Sequence, residues 1–253
     1  MSLFNASFDD QVEFLRQKTD LPSERWDDIW QEAHDQAFIV AGAQTADLLA
    51  DLHAAVDRAI ADGNGLEAFR KDFYRLVARH GWTGWTGEGS PAGIAWRTKV
   101  IYETNLSTAY AAARRQQLHD SDLVKVMPYL RYKHADGVMY PRPLHVAWDG
   151  LTLPREHPFW RTHYPPNGWG CHCRAVRAYR DEATEEPEGW RTVDPKTGTP
   201  LGIDKGWDYN VGQTYLEKGH EVLEQALARL PLAVADGIRR EIRKLLEDET
   251  ERA

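Results

Sequence analysis

The chain has 253 residues, 42% of them hydrophobic, which is enough to bury one or two cores and too much for a wholly disordered protein. No apolar run approaches the ~20 residues of a membrane-spanning helix, and the polar, acidic start is unlike a signal peptide. A net charge of −8 argues against a protein that coats DNA in general. Two cysteines are too few for a disulfide framework, which indicates a protein made in a reducing cytosol.

Residues 1–85 are predicted to form an N-terminal helical region, because apolar residues recur there every three or four positions. The expected helices cover 8–18, 22–40, 45–61 and 66–79. Gly81 suits the position just after the last of them, where a positive φ is favoured. Residues 82–93 are rich in glycine and are predicted to be a loop or hinge. They lack the Lys-Ser/Thr ending of a phosphate-binding loop, which argues against phosphate binding.

Residues 86–180 are predicted to be a core domain that combines helix with a small sheet. A long helix is expected over 96–117, and alternating polarity predicts strands over 129–134 and 173–179 that pair with each other. The segment 139–180 contains six prolines, so we expect it to be ordered loop with short elements.

Residues 181–253 are predicted to be an acidic linker followed by two helices. Asp, Glu, Pro, Gly and Thr dominate 181–206, which favours a linker or surface loop. The terminal helices are expected at 214–229 and 233–249, and their amphipathic faces are candidates for contact with a partner protein. The chain as a whole is assigned to the α+β class, predominantly α-helical.

Charge is distributed unevenly along the chain. Residues 128–180 carry eight Lys or Arg and three Asp or Glu, whereas the segments on either side are net acidic. Arginine-rich segments contact phosphates in nucleic-acid-binding proteins, so a DNA-contacting adaptor is one alternative. The other interpretation is that these arginines offset acidic helices of this chain or of a partner.

A short stretch of the core domain concentrates groups that can bind a metal: His145, His157, His163, Cys171, His172 and Cys173. Four such ligands suffice for tetrahedral zinc, and Cys171 and Cys173 point the same way if the chain between them is extended. We expect His145, His163, Cys171 and Cys173 to bind one structural zinc ion that holds irregular loops together. The alternative is that the cysteines are small buried hydrophobic residues and the histidines are surface polar groups.

Two enzymatic interpretations use the same residues. Cys171 or Cys173 with His145 and Asp149 has the composition of a nucleophile, a base and an orienting carboxylate. A zinc ion beside His145 can instead activate water, as in a hydrolase or nuclease. Because Cys, His and Asp often occur together by chance in such a segment, we expect a protein that is not an enzyme and assign no catalytic residue and no small-molecule substrate.

Several rare residue types follow one another in a fixed order between residues 142 and 174. They are Arg142-Pro143-Leu144-His145, Trp148-Asp149-Gly150, His157-Pro158-Phe159-Trp160 and Pro165-Pro166-Asn167-Gly168-Trp169-Gly170-Cys171-His172-Cys173-Arg174. This signature resembles that of the phage Mu F-like minor head proteins. The stretches Tyr102-Glu103-Thr104-Asn105 and Trp207-Asp208-Tyr209-Asn210 are also similar to that family. Two features differ: His172 stands where arginine is common, and the chain is short for a Mu-type member.

The resemblance implies a minor structural protein of a tailed-phage or prophage head, acting in head morphogenesis at or near the portal vertex. It implies contact with the portal protein, the major capsid protein or both, with packaged DNA as a further contact to test. It also implies a location in the virion after assembly in the host bacterial cytoplasm, with no membrane in the assembled head.

Overall fold

The computed structural model describes residues 8–24 and 33–213, which all lie within one compact unit, Met1–Gln213. Helices predominate over two small β-sheets, which confirms the predicted α+β class. None of the helices in this described part is both long and apolar enough to cross a membrane. The two expected C-terminal helices lie outside the described residues, and the division after residues 85 and 180 stays a prediction.

The first half of the unit is built from helices that pack on one another. These are α1 (Phe8–Arg16), α2 (Ala33–Gln36), α3 (Ala46–Ala61), α4 (Gly65–His80) and α5 (Pro91–Leu118). α3 contacts α4 and α1, and α5 contacts α1 and α4. Leu49 and Leu52 of α3 and Phe69 and Phe73 of α4 are fully buried. Each such side chain contributes about 1.5–3 kcal/mol through the water it excludes.

The helix ends follow local chemistry. α3 and α4 lie within one residue of their predicted bounds, and Gly81 after α4 has the expected positive φ of 59°. α5 begins earlier than predicted because Pro91 occupies its first turn and the Ser90 hydroxyl accepts a hydrogen bond from the Gly93 N–H at 3.0 Å.

The helix predicted over 22–40 is only partly confirmed: Ala33–Gln36 is helical, residues 22–24 and 37–40 are not, and residues 25–32 lie outside the described part of the chain. Ala37–Phe38 form strand β2, which pairs in parallel with β1 (Thr19–Asp20). Phe38 is fully buried and stacks on His53 of α3, with ring centroids 4.3 Å apart. Tertiary packing therefore overrides the helical spacing of apolar residues at this point.

The second half is organised around a three-stranded antiparallel sheet. Its central strand β3 (Tyr129–Lys133) pairs with β4 (Thr152–Pro154) on one side and with β5 (Arg174–Ala178) on the other. The pairing of β3 with β5 confirms the sequence prediction, whereas the three-residue β4 was not predicted. Three short helices accompany the sheet: α6 (Ser121–Val126), α7 (Pro143–Ala147) and α8 (Phe159–Thr162).

Aromatic side chains form the core beside this sheet. They include Tyr132, Trp148, Phe159, Trp160, Tyr164, Trp190 and Trp207. The segment expected to be an acidic linker contributes Trp190 and Ile203 to the same core, although its backbone is mostly irregular. Close packing of large rings restricts the side chains around them, so this core is a rigid support for the residues described next.

Candidate metal centre

Two separate chain segments bring a histidine and two cysteines together. His145 lies on α7, which starts with Pro143 at a position where proline is favoured. Cys171 and Cys173 lie just before β5; both are buried, and His172 between them is exposed. This alternation confirms that the two cysteines point the same way.

The three side chains are close enough to share one ion. His145 Nδ1 lies 3.7 Å from Cys171 Sγ and 3.7 Å from Cys173 Sγ, and the three ligand atoms all lie within 4.8 Å of one another. His145, Cys171 and Cys173 are 2%, 6% and 8% exposed, so all three side chains are largely withdrawn from water. Imidazole nitrogen and thiolate sulfur are the ligands typical of structural zinc.

His145 is oriented by a contact on the far side of its ring. Its Nε2 lies 2.8 Å from the carbonyl oxygen of Gly202, which requires a proton on Nε2 and leaves the Nδ1 lone pair facing the sulfurs. A carbonyl in this role fixes both the tautomer and the ring of a metal-binding histidine. Gly202 has a φ of +86°, and a Cβ there would come within 2.8 Å of Trp148, so glycine is what lets this carbonyl approach.

Hydrogen bonding between the two thiols separates their pKa values. The pKa of Cys173 is lowered, chiefly because the Cys171 S–H donates a hydrogen bond to its sulfur. The same bond and burial raise the pKa of Cys171 well above its usual range. The cluster therefore favours one thiolate and one thiol, and a bound zinc ion would displace the remaining proton, because zinc binds cysteine as thiolate.

The structure adds a histidine that the sequence analysis did not select. His134 directly follows β3, and its Nδ1 lies 3.4 Å from Cys173 Sγ. The strand register explains this contact, because Lys133 pairs with Arg174 and the next antiparallel pair is His134 with Cys173. The predicted pairing of the two strands, extended to its register, is the signal that could have identified His134.

His163 lies in the aromatic core. Its ring stacks on Phe159 at 4.3 Å and meets Trp148 edge-on at 5.0 Å between centroids, and its Nδ1 lies 2.8 Å from Thr162 Oγ1. Burial lowers the pKa of His163 to about 4, so the ring is neutral at pH 7. It is not among the three residues whose ligand atoms lie within 4.8 Å of one another, and its role as a ligand stays a prediction.

Asp149 does not complete a catalytic arrangement with the cysteines. Its carboxylate accepts hydrogen bonds from Lys133 Nζ at 3.1 Å and from the backbone N–H of His134 at 2.8 Å. His145 is instead held by the carbonyl of Gly202. The contacts of Asp149 therefore differ from those of the orienting carboxylate in a nucleophile–base–acid triad.

Comparison with known proteins places this centre in a family. Residues 50–176, about half of the chain, match the sequence profile of the family described as Phage Mu protein F like protein. The chain belongs to this family. The matched region includes all four residues in or beside the centre: His134, His145, Cys171 and Cys173. The resemblance drawn from the signature is thereby confirmed.

Two relatives extend the match. The chain is 31% identical over 218 residues to the Mu-like prophage FluMu F protein of Haemophilus influenzae, with 74% of this chain and 52% of the relative covered. It is 30% identical over 265 residues to the protein of Escherichia phage Mu named "Putative capsid assembly protein F", with 90% of this chain and 58% of the relative covered. The chain thus spans little more than half the length of these relatives. No solved structure matches it.

Proposed function

We propose that this protein is a minor structural component of a phage or prophage head, acting in head morphogenesis at or near the portal vertex. The observation that carries the proposal is the family match over residues 50–176, which contains most of the three-stranded sheet and the residues of the candidate centre. The name of the phage Mu relative supports a role in capsid assembly. On this proposal the protein is located in the virion, and it is incorporated there during head assembly in the host bacterial cytoplasm.

Exposed apolar side chains on one loop offer a surface for a protein partner. Met139 and Tyr140 lie between β3 and α7 and are 82% and 83% exposed. They line one open groove together with Trp96 of α5 and Trp169. Methionine and aromatic residues are enriched where proteins bind one another. We infer that this groove contacts the portal protein or the major capsid protein.

Contact with packaged DNA is the second candidate. Several arginines of the basic segment are engaged within the chain: Arg131 pairs with Glu182 at 2.6 Å, and Arg142 pairs with Asp204 at 2.8 Å. Arg155 is buried and donates to main-chain carbonyls. The exposed arginines of the segment are Arg161, Arg174 and Arg180. A DNA-binding role would depend on these exposed side chains, and it predicts affinity that falls steeply with salt.

We also propose that the candidate centre holds one structural zinc ion. His145 comes from α7, whereas the cysteines come from the chain entering β5, so an ion would tie together two ends of a largely irregular segment. Structural zinc supplies folding free energy directly. A hydrolytic zinc needs a position open to water, and the burial of all three side chains opposes that alternative.

Co-expression with the portal protein and the major capsid protein of the same phage tests the head role. The wild type should co-purify with at least one of them. Met139→Ser with Tyr140→Ser should abolish that co-purification while leaving the fold intact. Tyr74→Ser is the matched control, because Tyr74 is 54% exposed but lies on α4. A wild type that binds neither protein, or a control that fails like the double variant, would contradict the proposal.

A further inference from the structure

We propose that His134 is the fourth ligand of the zinc ion and closes a site with His145, Cys171 and Cys173. The inference rests on the proposed zinc ion and specifies its complete coordination. A structural zinc ion has four protein ligands, whereas a catalytic one keeps a position for water or substrate. The identity of the fourth ligand therefore separates a structural site from a hydrolytic one.

The separations between ligand atoms support the assignment. With Zn–S near 2.3 Å and Zn–N near 2.0–2.1 Å, tetrahedral angles put a sulfur and a nitrogen ligand about 3.6 Å apart. The distance from Cys173 Sγ is 3.4 Å to His134 Nδ1 and 3.7 Å to His145 Nδ1. The distance from Cys171 Sγ to His145 Nδ1 is also 3.7 Å. These three of the four sulfur–nitrogen distances are thus close to an edge of a zinc tetrahedron.

The backbone already holds His134 beside the cluster. Its N–H donates to Asp149 Oδ1 at 2.8 Å, and Asp149 is itself held by Lys133 Nζ at 3.1 Å. His134 is not among the three residues whose ligand atoms all lie within 4.8 Å of one another, so binding requires its ring to move closer to the other ligand atoms. The side chain is only half-buried at the end of β3, so this turn does not require the aromatic core to repack.

His163 is the competing fourth ligand. Its Nε2 is buried and, among the described residues, has no hydrogen-bond partner. Its ring, however, packs between Phe159, Trp148 and Trp190 at centroid distances of 4.3, 5.0 and 5.6 Å. Moving that ring toward the sulfurs would displace large side chains in a packed core. The contact of His134 with Cys173 makes it the better-placed candidate.

Cobalt(II) substitution with single-residue variants tests the assignment. The d–d absorption of bound cobalt reports its coordination, the thiolate-to-cobalt band reports the cysteines, and competition with a chromophoric chelator gives the zinc affinity. Loss of a group that merely supports a metal ligand weakens binding about 10–100-fold. His134→Ala should weaken zinc binding by more than about 100-fold and change the d–d bands. His163→Asn and the exposed control His172→Ala should leave both readouts unchanged.

X-ray absorption of the wild-type zinc form keeps the test independent of variant folding. Two sulfur and two histidine nitrogen ligands are expected. Loss of binding in His163→Asn with a wild-type response in His134→Ala would overturn the assignment in favour of His163. Wild-type behaviour of both variants, with one oxygen ligand in the absorption spectrum, would overturn it in favour of an open site. A wild type that binds neither cobalt nor zinc would refute the zinc proposal itself.

Discussion

Replacing both cysteines with alanine should remove the zinc-dependent part of the stability and little else. Cys171 and Cys173 are 6% and 8% exposed, and each substitution deletes one buried sulfur atom. Without zinc, the lost packing should lower the free energy of unfolding by about 1–2 kcal/mol. With zinc, the wild type gains RT ln(1 + [L]/Kd), about 4 kcal/mol when free zinc is 1,000 times the Kd. In zinc, the free energy of unfolding of the variant should therefore lie about 5–6 kcal/mol below that of the wild type.

Urea unfolding, followed by tryptophan fluorescence, measures the free energy of unfolding of each protein. The measurement is made once in buffered zinc and once in chelator. A gain of about 4 kcal/mol in a domain of this size also corresponds to a rise in melting temperature of about 8–16 °C. His172→Ala is the matched control, because His172 lies between the cysteines and is exposed; it should respond to zinc like the wild type. Equal stability of the wild type in zinc and in chelator would refute the reasoning, as would an equal zinc response in the double variant.

Two further predictions concern packing and buried charge. Gly93→Ala should destabilise the protein by about 1–3 kcal/mol or more, because the new Cβ would overlap the backbone of Gly87. Gly89→Ala, where the Cβ meets open space, should change the free energy of unfolding by less than about 0.5 kcal/mol, and equal effects of the two would contradict the close approach. Burial lowers the pKa of Lys18 from 10.5 to about 8. Between these pH values the unfolded chain binds more protons than the folded protein. The free energy of unfolding should therefore rise with pH, by up to about 3 kcal/mol. Lys18→Met should flatten that rise in unfolding titrations, and an unchanged slope would contradict the burial of the ammonium group.

The sequence predicted the elements whose signal is local. α3 and α4 carry apolar residues at helical spacing over four turns and end at glycine or near it, so their bounds could be predicted closely. The strand pair β3 and β5 was marked by alternating polarity on both sides of a proline-rich segment. The facing direction of Cys171 and Cys173 followed from extended geometry alone.

Features that depend on distant contacts could not be predicted in the same way. Ala37 and Phe38 continue a helical pattern, but pairing with Thr19–Asp20 determines their structure. Trp190 lies in a segment whose composition resembles a linker, and only its burial against the aromatic core distinguishes it. His134 lies outside the dense signature, so its place beside Cys173 depends on the strand register and not on sequence proximity.

Metal content is the most direct measurement of the proposed centre. Protein purified without chelator should contain about one zinc ion per chain by elemental mass spectrometry. The Cys171→Ala, Cys173→Ala variant should contain none, and His172→Ala should retain the ion. A folded wild type without bound metal would contradict the proposal and reduce the His145–Cys171–Cys173 cluster to a packing motif of the Mu F-like core.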